Sequence, residues 1–418
     1  LRAAGPWSSP VRDLPVTVSP ARVAIVSTYY PPVLGGAETA SAQLAEFLVG
    51  RGHQVLVLTK RTRADVPVSE MRNGVHVVRV PPTGERAAEG KWLALPGLFA
   101  ELVRRQADYD IVVCIDYRAV GLAALIARGV TTRPVIFQAA TDGVISVARV
   151  HDAVVGRFQK WVASAAVWPF QRLYDGADAY PCISRAIEAE TAAAGVPRDR
   201  IYYLPNPVDT RLFSAVTADQ KAALRTRLGI PADARMAVIA GRLSREKGQL
   251  EAIMAWKHVT VAGALLVLVG PDMPGHPWDI GPAARALVAN DGLGDRVRFV
   301  GGVSPTEVPD WFRVADVALQ PSHFEAFGTA AIEAMAAGLP VIASDVGGLR
   351  DFVEPGLNGF RVAPQDPTAL ADAINRVLGD DVLRTRLAAG AVGTAPRFDT
   401  TVILGAFEQL IERVAATA

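Results

Sequence analysis

The segment His323–Pro340, HFEAFGTAAIEAMAAGLP, reads as a loop that becomes a helix and then stops. Ala330 to Ala337 are good helix formers. Gly338 offers a left-handed stop, and Pro340 cannot continue the helix. An apolar run, DVALQPS (316–322), leads in, and another, LPVIASD (339–345), leads out. Strand, helix and strand in that order form a crossover unit of a parallel sheet. Two carboxylates mark the unit: Glu325 in the loop and Glu333 about one turn inside the helix. Between them, the open amides of Gly328 and Thr329 at the helix N-terminus make a ready site for an anion. A carboxylate on each side of an anion site matches a nucleotide-sugar: sugar hydroxyls, diphosphate, ribose hydroxyls. A polar loop followed by a surface Glu is the plainer reading of the pair alone, so the rest of the chain has to decide.

The same alternation extends in both directions. Upstream lie MAVIAG (236–241), ALLVLVG (264–270) and RVRFVGG (296–302); downstream lies GFRVAP (359–364), followed by a long helical end. A polar stretch from Asp209 to about Arg235 holds a plausible helix but no core strand, and reads as a boundary. Before it the pattern runs again: VAIVSTYY (23–30), QVLVLTK (54–60), VHVVRV (75–80), DIVVCID (110–116), PVIFQAA (134–140), AYPCIS (179–184) and RIYYLPN (200–206). VAIVSTYY is continuously apolar, as expected of a parallel strand buried on both faces. The expectation is an α/β chain of two doubly wound domains, 21–208 and 209–397. Residues 1–20 are expected to form a flexible tail, and 398–418 a helix packing back toward the first domain.

Composition narrows the field. A length of 418 residues suits two domains. A formal net charge of +1 gives no argument for nucleic acid as a partner. Cys114 and Cys182 are too few for a disulfide framework and sit in apolar runs, as buried thiols of a cytoplasmic protein do. No apolar run reaches the length of a membrane span, and the first twenty residues lack the apolar core of a signal peptide.

Other motifs add to the carboxylate pair. GRLSREKG (241–248) follows a strand and precedes a helix, the place where ligands of parallel sheets bind. Arg242 and Lys247 there could neutralise a diphosphate, or could be two solvated surface cations. Gly347-Gly348 after strand VIASD allows close backbone approach to a ligand, or a plain turn. Gly35-Gly36 repeats that logic after the first strand. Asp108-Tyr109-Asp110 looks like a metal-binding triplet but reads better as the end of a helix and the start of a strand. The six His show no ligand spacing, so no metal site is expected. Arg149–Arg172 mixes basic residues with Phe158, Trp161, Trp168 and Phe170. Peripheral contact with an anionic membrane is one reading. Aromatic packing inside the first domain is the favoured one, because these rings do not share one helical face.

Taken in order, the segments VAIVSTYYPPVLGGAE, PNPVD, GRLSREKG, and the run from RFVGGVSP through HFEAFGTAAIEAMAAGLPVIASDVGG resemble the retaining glycosyltransferases of family 4. The resemblance spans nearly the whole chain and implies the GT-B architecture, two Rossmann-like domains facing across a cleft. It implies a nucleotide-sugar donor, a UDP- or GDP-sugar, held by the second domain, and an acceptor held by the first. That acceptor is a saccharide, a lipid-linked molecule or a small molecule. Neither a cofactor nor a metal is implied. Carried over by position, Glu325 contacts the donor sugar hydroxyls and Glu333 the ribose hydroxyls. Arg242 and Lys247 bind the diphosphate, with Phe327, Gly328 and Thr329 beside it. Gly36 approaches the diphosphate from the first domain, and Val303 frames the base. The family keeps the anomeric configuration, with the leaving phosphate helping to deprotonate the acceptor. This sequence departs from the family pattern in two places. Ala326 replaces a usual glycine, and there is no His between Pro134 and Asp142 where an acceptor contact is usual. Asp142 is the nearest ionisable side chain after that strand, and is either an acceptor contact or a turn cap. Two other functions stay open: a nucleotide-sugar epimerase of the same architecture, and a sugar-nucleotide-binding protein without catalysis.

Overall fold

The fold was obtained as a computed structural model that describes residues 20–32, 36–84, 89–115, 118–139 and 174–417. Asp142 and the segment Arg149–Arg172 lie outside the described residues. The chain divides into two units, one of Leu1–Pro205 with Ile403–Ala418, the other of Asn206–Val402. The division falls three residues earlier than the expected 208/209, because Val208 pairs with Asp399, and both belong to the second unit.

In the first unit, β1 (Arg22–Ser27), α1 (Gly36–Gly50), β2 (Gln54–Lys60), β3 (Ser69–Arg72) and β4 (Val75–Val80) come in succession. After them come α2 (Glu89–Arg104), β5 (Ile111–Ile115), α3 (Arg118–Thr131) and β6 (Val135–Gln138). The strand order is β3-β4-β2-β1-β5-β6. All neighbours are parallel except β3, which runs antiparallel to β4. β3 was not anticipated: Ser69-Glu70-Met71-Arg72 is polar and lies on the sheet edge. Its signal was the turn Asn73-Gly74, where both residues take left-handed φ values, 50° and 80°, as a tight hairpin requires. β7 (Tyr180–Cys182) and β8 (Ile201–Tyr203) form a short parallel pair with α4 (Arg185–Ala193) between them. Single bridges tie β6 to this pair, from Ile136 to Ala179 and from Ala139 to Cys182. Asp110 is structural. Its carboxylate takes the backbone N–H of Arg22 and pairs with the Arg22 guanidinium at 2.5 Å, which holds the carboxyl below its ordinary range.

The second unit runs from α5 (Ala218–Leu228) through β9 (Arg235–Ala240), α6 (Gln249–Trp256), β10 (Ala264–Val269), α7 (Gly281–Asn290), β11 (Val297–Gly301) and α8 (Val308–Val314). It continues with β12 (Val317–Gln320), α9 (Thr329–Ala336), β13 (Val341–Ser344), β14 (Gly359–Val362), α10 (Pro367–Gly379) and α11 (Asp381–Thr394). The sheet order is β11-β10-β9-β12-β13-β14, all parallel. Counted along the chain this is 3-2-1-4-5-6, the doubly wound order, with its switch point between β9 and β12. These two strands pair over only two residues, Val317 with Ala237 and Ala318 with Val238. Their C-terminal ends are therefore not bonded to each other, and the loops that follow them leave on opposite sides of the switch point.

The last helix, α12 (Thr400–Ala416), buries Leu404, Phe407, Leu410, Ile411 and Val414 against the core of the first unit. A polar clasp completes this packing. Nδ1 of His53 accepts the N–H of Ala21 at 3.0 Å, so the ring proton sits on Nε2 and is donated to Glu408 at 2.9 Å. Arg51 adds a contact to Glu408 at 3.2 Å. Glu412 stands beside the pair, and burial together with the charge of Glu408 raises its carboxyl. Among the described residues no helix is long and apolar enough to cross a membrane.

Candidate functional site

The switch point of the second unit gathers two loops, 241–248 after β9 and 321–328 after β12. They touch along their backbones. His323 donates its N–H to the Glu246 carbonyl at 2.9 Å. A Cβ on Gly248 would stand 1.8 Å from the Pro321 carbonyl oxygen, so only glycine allows this approach; its φ of +70° makes the same demand. Side chains complete the seam. Lys247 Nζ lies 2.8 Å from Glu325 Oε2, and that oxygen also accepts from Gln320 Nε2 at 3.0 Å and Ser322 Oγ at 3.2 Å. Three donors on one oxygen fix the orientation of Glu325. The other oxygen, Oε1, has no protein partner among the described residues.

Helix α9 begins at Thr329 with Gly328 in the left-handed region, φ +102°, and no side chain caps it. The first amides of the helix are thus without a side-chain acceptor at the cap. Four residues on, Glu333 is partly buried on the helix and has no hydrogen-bond or ion-pair partner among the described residues. Desolvation alone pushes its carboxyl up to about 7, although the residue keeps some surface open to water. The site so holds one carboxylate saturated on one side and one that is unpartnered. Arg242 is exposed, and its guanidinium has no partner among the described residues. Its backbone carbonyl is fixed by the buried Gln249 at 2.8 Å.

The structure sharpens two of the expected positions and adds two residues that were not expected. Phe327 does not offer its ring to a ligand. The side chain is 1% exposed and packs against Phe352 and Phe398, with ring centroids 5.4 and 5.7 Å away, so only its backbone is available. Gly347-Gly348 does serve a close approach, but to the chain itself. A Cβ on Gly347 would meet the Glu325 carbonyl oxygen at 1.8 Å, and one on Gly348 would meet Phe327 Cα at 2.5 Å. The Gly348 N–H also bonds the Glu325 carbonyl at 3.1 Å, so this loop buttresses the carboxylate loop from behind. Gln320 and Ser322, which hold Glu325, were overlooked; the polar end of the otherwise apolar strand DVALQPS was the clue. Val303 lies half-buried in the loop after β11. Gly36 opens α1, after the first strand of the first unit.

Known proteins match along most of the chain. The family model described as "Glycosyltransferase Family 4" matches residues 34–212, and that described as "Glycosyl transferases group 1" matches residues 220–392. D-inositol 3-phosphate glycosyltransferase of Xylanimonas cellulosilytica is 33% identical over 92% of this chain and 94% of its own. The chain is a family 4 glycosyltransferase. Among solved structures, this glycosyltransferase resembles sucrose-phosphate synthase from Thermosynechococcus elongatus, with a TM-score of 0.80 at 26% identity over 95% of this chain and 99% of the other. Anabaena HepE, solved in complex with UDP-glucose, shares the fold at a TM-score of 0.72 and 22% identity, over 94% of this chain and all of its own. The glycosyltransferase therefore has the GT-B architecture, with a Rossmann-like sheet in each unit.

Proposed function

We propose that this glycosyltransferase retains anomeric configuration and binds its nucleotide-sugar donor, a UDP- or GDP-sugar, in the second unit, with the acceptor held by the first. The observation that carries the reading is the contrast at the mouth of α9. Glu325 is oriented by Lys247 with one oxygen free, and Glu333 waits unpartnered one turn inside an uncapped helix. In this reading Glu325 Oε1 accepts from hydroxyls of the transferred sugar. Glu333 accepts from the ribose hydroxyls, whose donors stabilise its ionised form. Arg242, Lys247 and the amides of Phe327, Gly328 and Thr329 surround the diphosphate, with Val303 beside the base. During transfer the bond from the anomeric carbon to the leaving phosphate oxygen breaks. The bond to the acceptor oxygen forms on the same face, and the acceptor proton passes to the leaving phosphate. The charge that grows on that phosphate is what the cations and helix amides stabilise. For Asp142, an acceptor contact and a turn cap both stay open.

The test is transfer itself. UDP-glucose, the ligand of HepE, is the first donor to try, and D-inositol 3-phosphate, the acceptor in the relatives' name, the first acceptor. Release of nucleoside diphosphate that depends on the acceptor, with the product's anomeric coupling equal to the donor's by NMR, supports the proposal. Inverted coupling would refute retention. An isomerised donor formed without acceptor would point to an epimerase instead.

A further inference from the structure

On the far side of the switch point from Glu325, the segment between β10 and α7 carries Trp278 with its side chain in the open: the residue is 54% exposed. The segment around it is not loose. Arg245 donates its N–H to the Trp278 carbonyl at 3.0 Å, and Ser244 bridges to Asp279, so this stretch is bonded to the loop that carries Arg242 and Lys247. The Asp279 carboxylate accepts from the N–H groups of Met273 at 3.3 Å and Gly281 at 3.0 Å. His276 accepts the Trp278 N–H at 3.2 Å and sets its ring edge-on to the indole, with centroids 6.1 Å apart. An indole exposed on a tightly bonded loop costs apolar exposure, and the hydrogen bonds around it fix the backbone that presents it. A ligand with a flat face is what such a surface accepts.

Strand order places this surface in the sheet. β9, β10 and β11 are neighbours on one side of the switch point, and β12 with Glu325 is on the other. Because Arg245 and Ser244 bond the Trp278 stretch to the loop that carries Arg242 and Lys247, a nucleotide whose diphosphate lies on that loop has its base within reach of the ends of β10 and β11. Those lie about 5–10 Å away at one strand spacing each. Trp278 stands on the loop after β10, and Val303 follows β11. We propose that the indole of Trp278 is the stacking platform for the nucleobase of the donor. This rests on the donor reading of the second unit. The indole supplies affinity for the flat face of the base, and the hydrogen-bonding edge of the base is left for other groups to read, because every base offers a π-face.

The experiment uses the full chain, with UDP and GDP as probes and pyrophosphate as the probe lacking a base. Emission of the tryptophans and calorimetric Kd are read for the wild type, Trp278→Ala and Trp278→Phe. Stacking predicts that UDP or GDP quenches emission in the wild type and that pyrophosphate quenches less. Trp278→Ala should raise the nucleotide Kd about 5- to 150-fold, as expected for loss of one base–aromatic stack, and should lose the quench. Its pyrophosphate Kd should stay the same, and Trp278→Phe should recover most of the nucleotide affinity. A wild type that binds nucleotide while Trp278→Ala binds it equally well overturns the platform and leaves the donor reading standing. A wild type that binds pyrophosphate but neither nucleotide overturns both.

Discussion

Glu325 and Glu333 stand on one short segment and live in opposite surroundings. Glu325 is bound on one oxygen by a cation, an amide and a hydroxyl from three places in the second unit. Glu333 has only the low dielectric of a helix face, and its carboxyl rises to about 7. The difference separates two jobs that a count of acidic residues would merge. A carboxylate already paired is a fixed geometric element whose charge is spent locally. An unpaired one carries an unfavourable charge that a ligand with hydroxyl donors would relieve.

The largest effect should come from breaking the pair that fixes Glu325. Lys247→Ala removes the cation from Glu325 and from the proposed diphosphate site, and transfer should fall by about two to three orders of magnitude. The melting temperature should move little, because Lys247 sits in a loop. Normal turnover in this variant would remove Lys247 from the machinery and leave the pair as decoration.

Next is the pH dependence that Glu333 brings. Its folded value of about 7 lies above the ordinary 4.5, so the folded chain holds a proton that the unfolded chain has released. Stability contributed by the protonated form is present below pH 4.5 and is lost as pH rises to about 7. The loss is of the order of 2–3 kcal/mol at most, less where water reaches the residue. Urea unfolding at pH 5 and pH 8 should show this slope in the wild type and a smaller one in Glu333→Gln. Parallel pH profiles for the two proteins would mean that the carboxyl is solvated after all. Nucleotide binding should add to the picture: ribose donors favour the ionised form, so the wild-type affinity should strengthen as pH rises through 7.

The comparison can be sharpened with ligands. Glu333→Ala should weaken free nucleoside diphosphate by about 1.5–3 kcal/mol, the worth of a charge-assisted hydrogen bond. Glu325→Ala should weaken or slow the sugar-nucleotide while leaving the free diphosphate almost unaffected. Equal losses for both ligands in both variants, measured by calorimetry, would merge the two roles again.

The smallest expected effect tests the support behind Glu325. Gly348→Ala places a methyl 2.5 Å from Phe327 Cα and 2.7 Å from the Ala326 carbonyl, both backbone atoms that cannot swing away. A loss of about 1–3 kcal/mol in stability is expected from such overpacking. Full stability with full transfer would show that the two loops separate at little cost.

Much of this was legible in the residues. Short apolar runs between helical stretches announced two parallel sheets, because burial on both faces demands continuous apolar strands. The Gly328 start and Gly338 stop placed α9 to within a residue. The antiparallel edge β3 went unread because an edge strand needs no apolar run; the hairpin turn Asn73-Gly74 was its one mark. Phe327 reads as a site residue by position, and its backbone stays in the carboxylate loop. In space its ring completes a cluster with Phe352 and Phe398, residues 25 and 71 positions away along the chain.

By itself, the sequence determined the apolar core strands and the start and stop of α9, and that two carboxylates flank an open helix N-terminus, because those features depend on neighbours along the chain. Only the tertiary structure decided which carboxylate is paired. Lys247 reaches Glu325 from 78 positions away, and Glu333 is left alone by whatever the fold packs around it. Desolvation and pairing sum over atoms close in space, most of them far apart in sequence, so no local pattern encodes them. The same holds for Trp278: its apolar character is written in the chain, but its exposure beside the loop of Arg242 and Lys247 follows from the order of β9, β10 and β11 in the sheet.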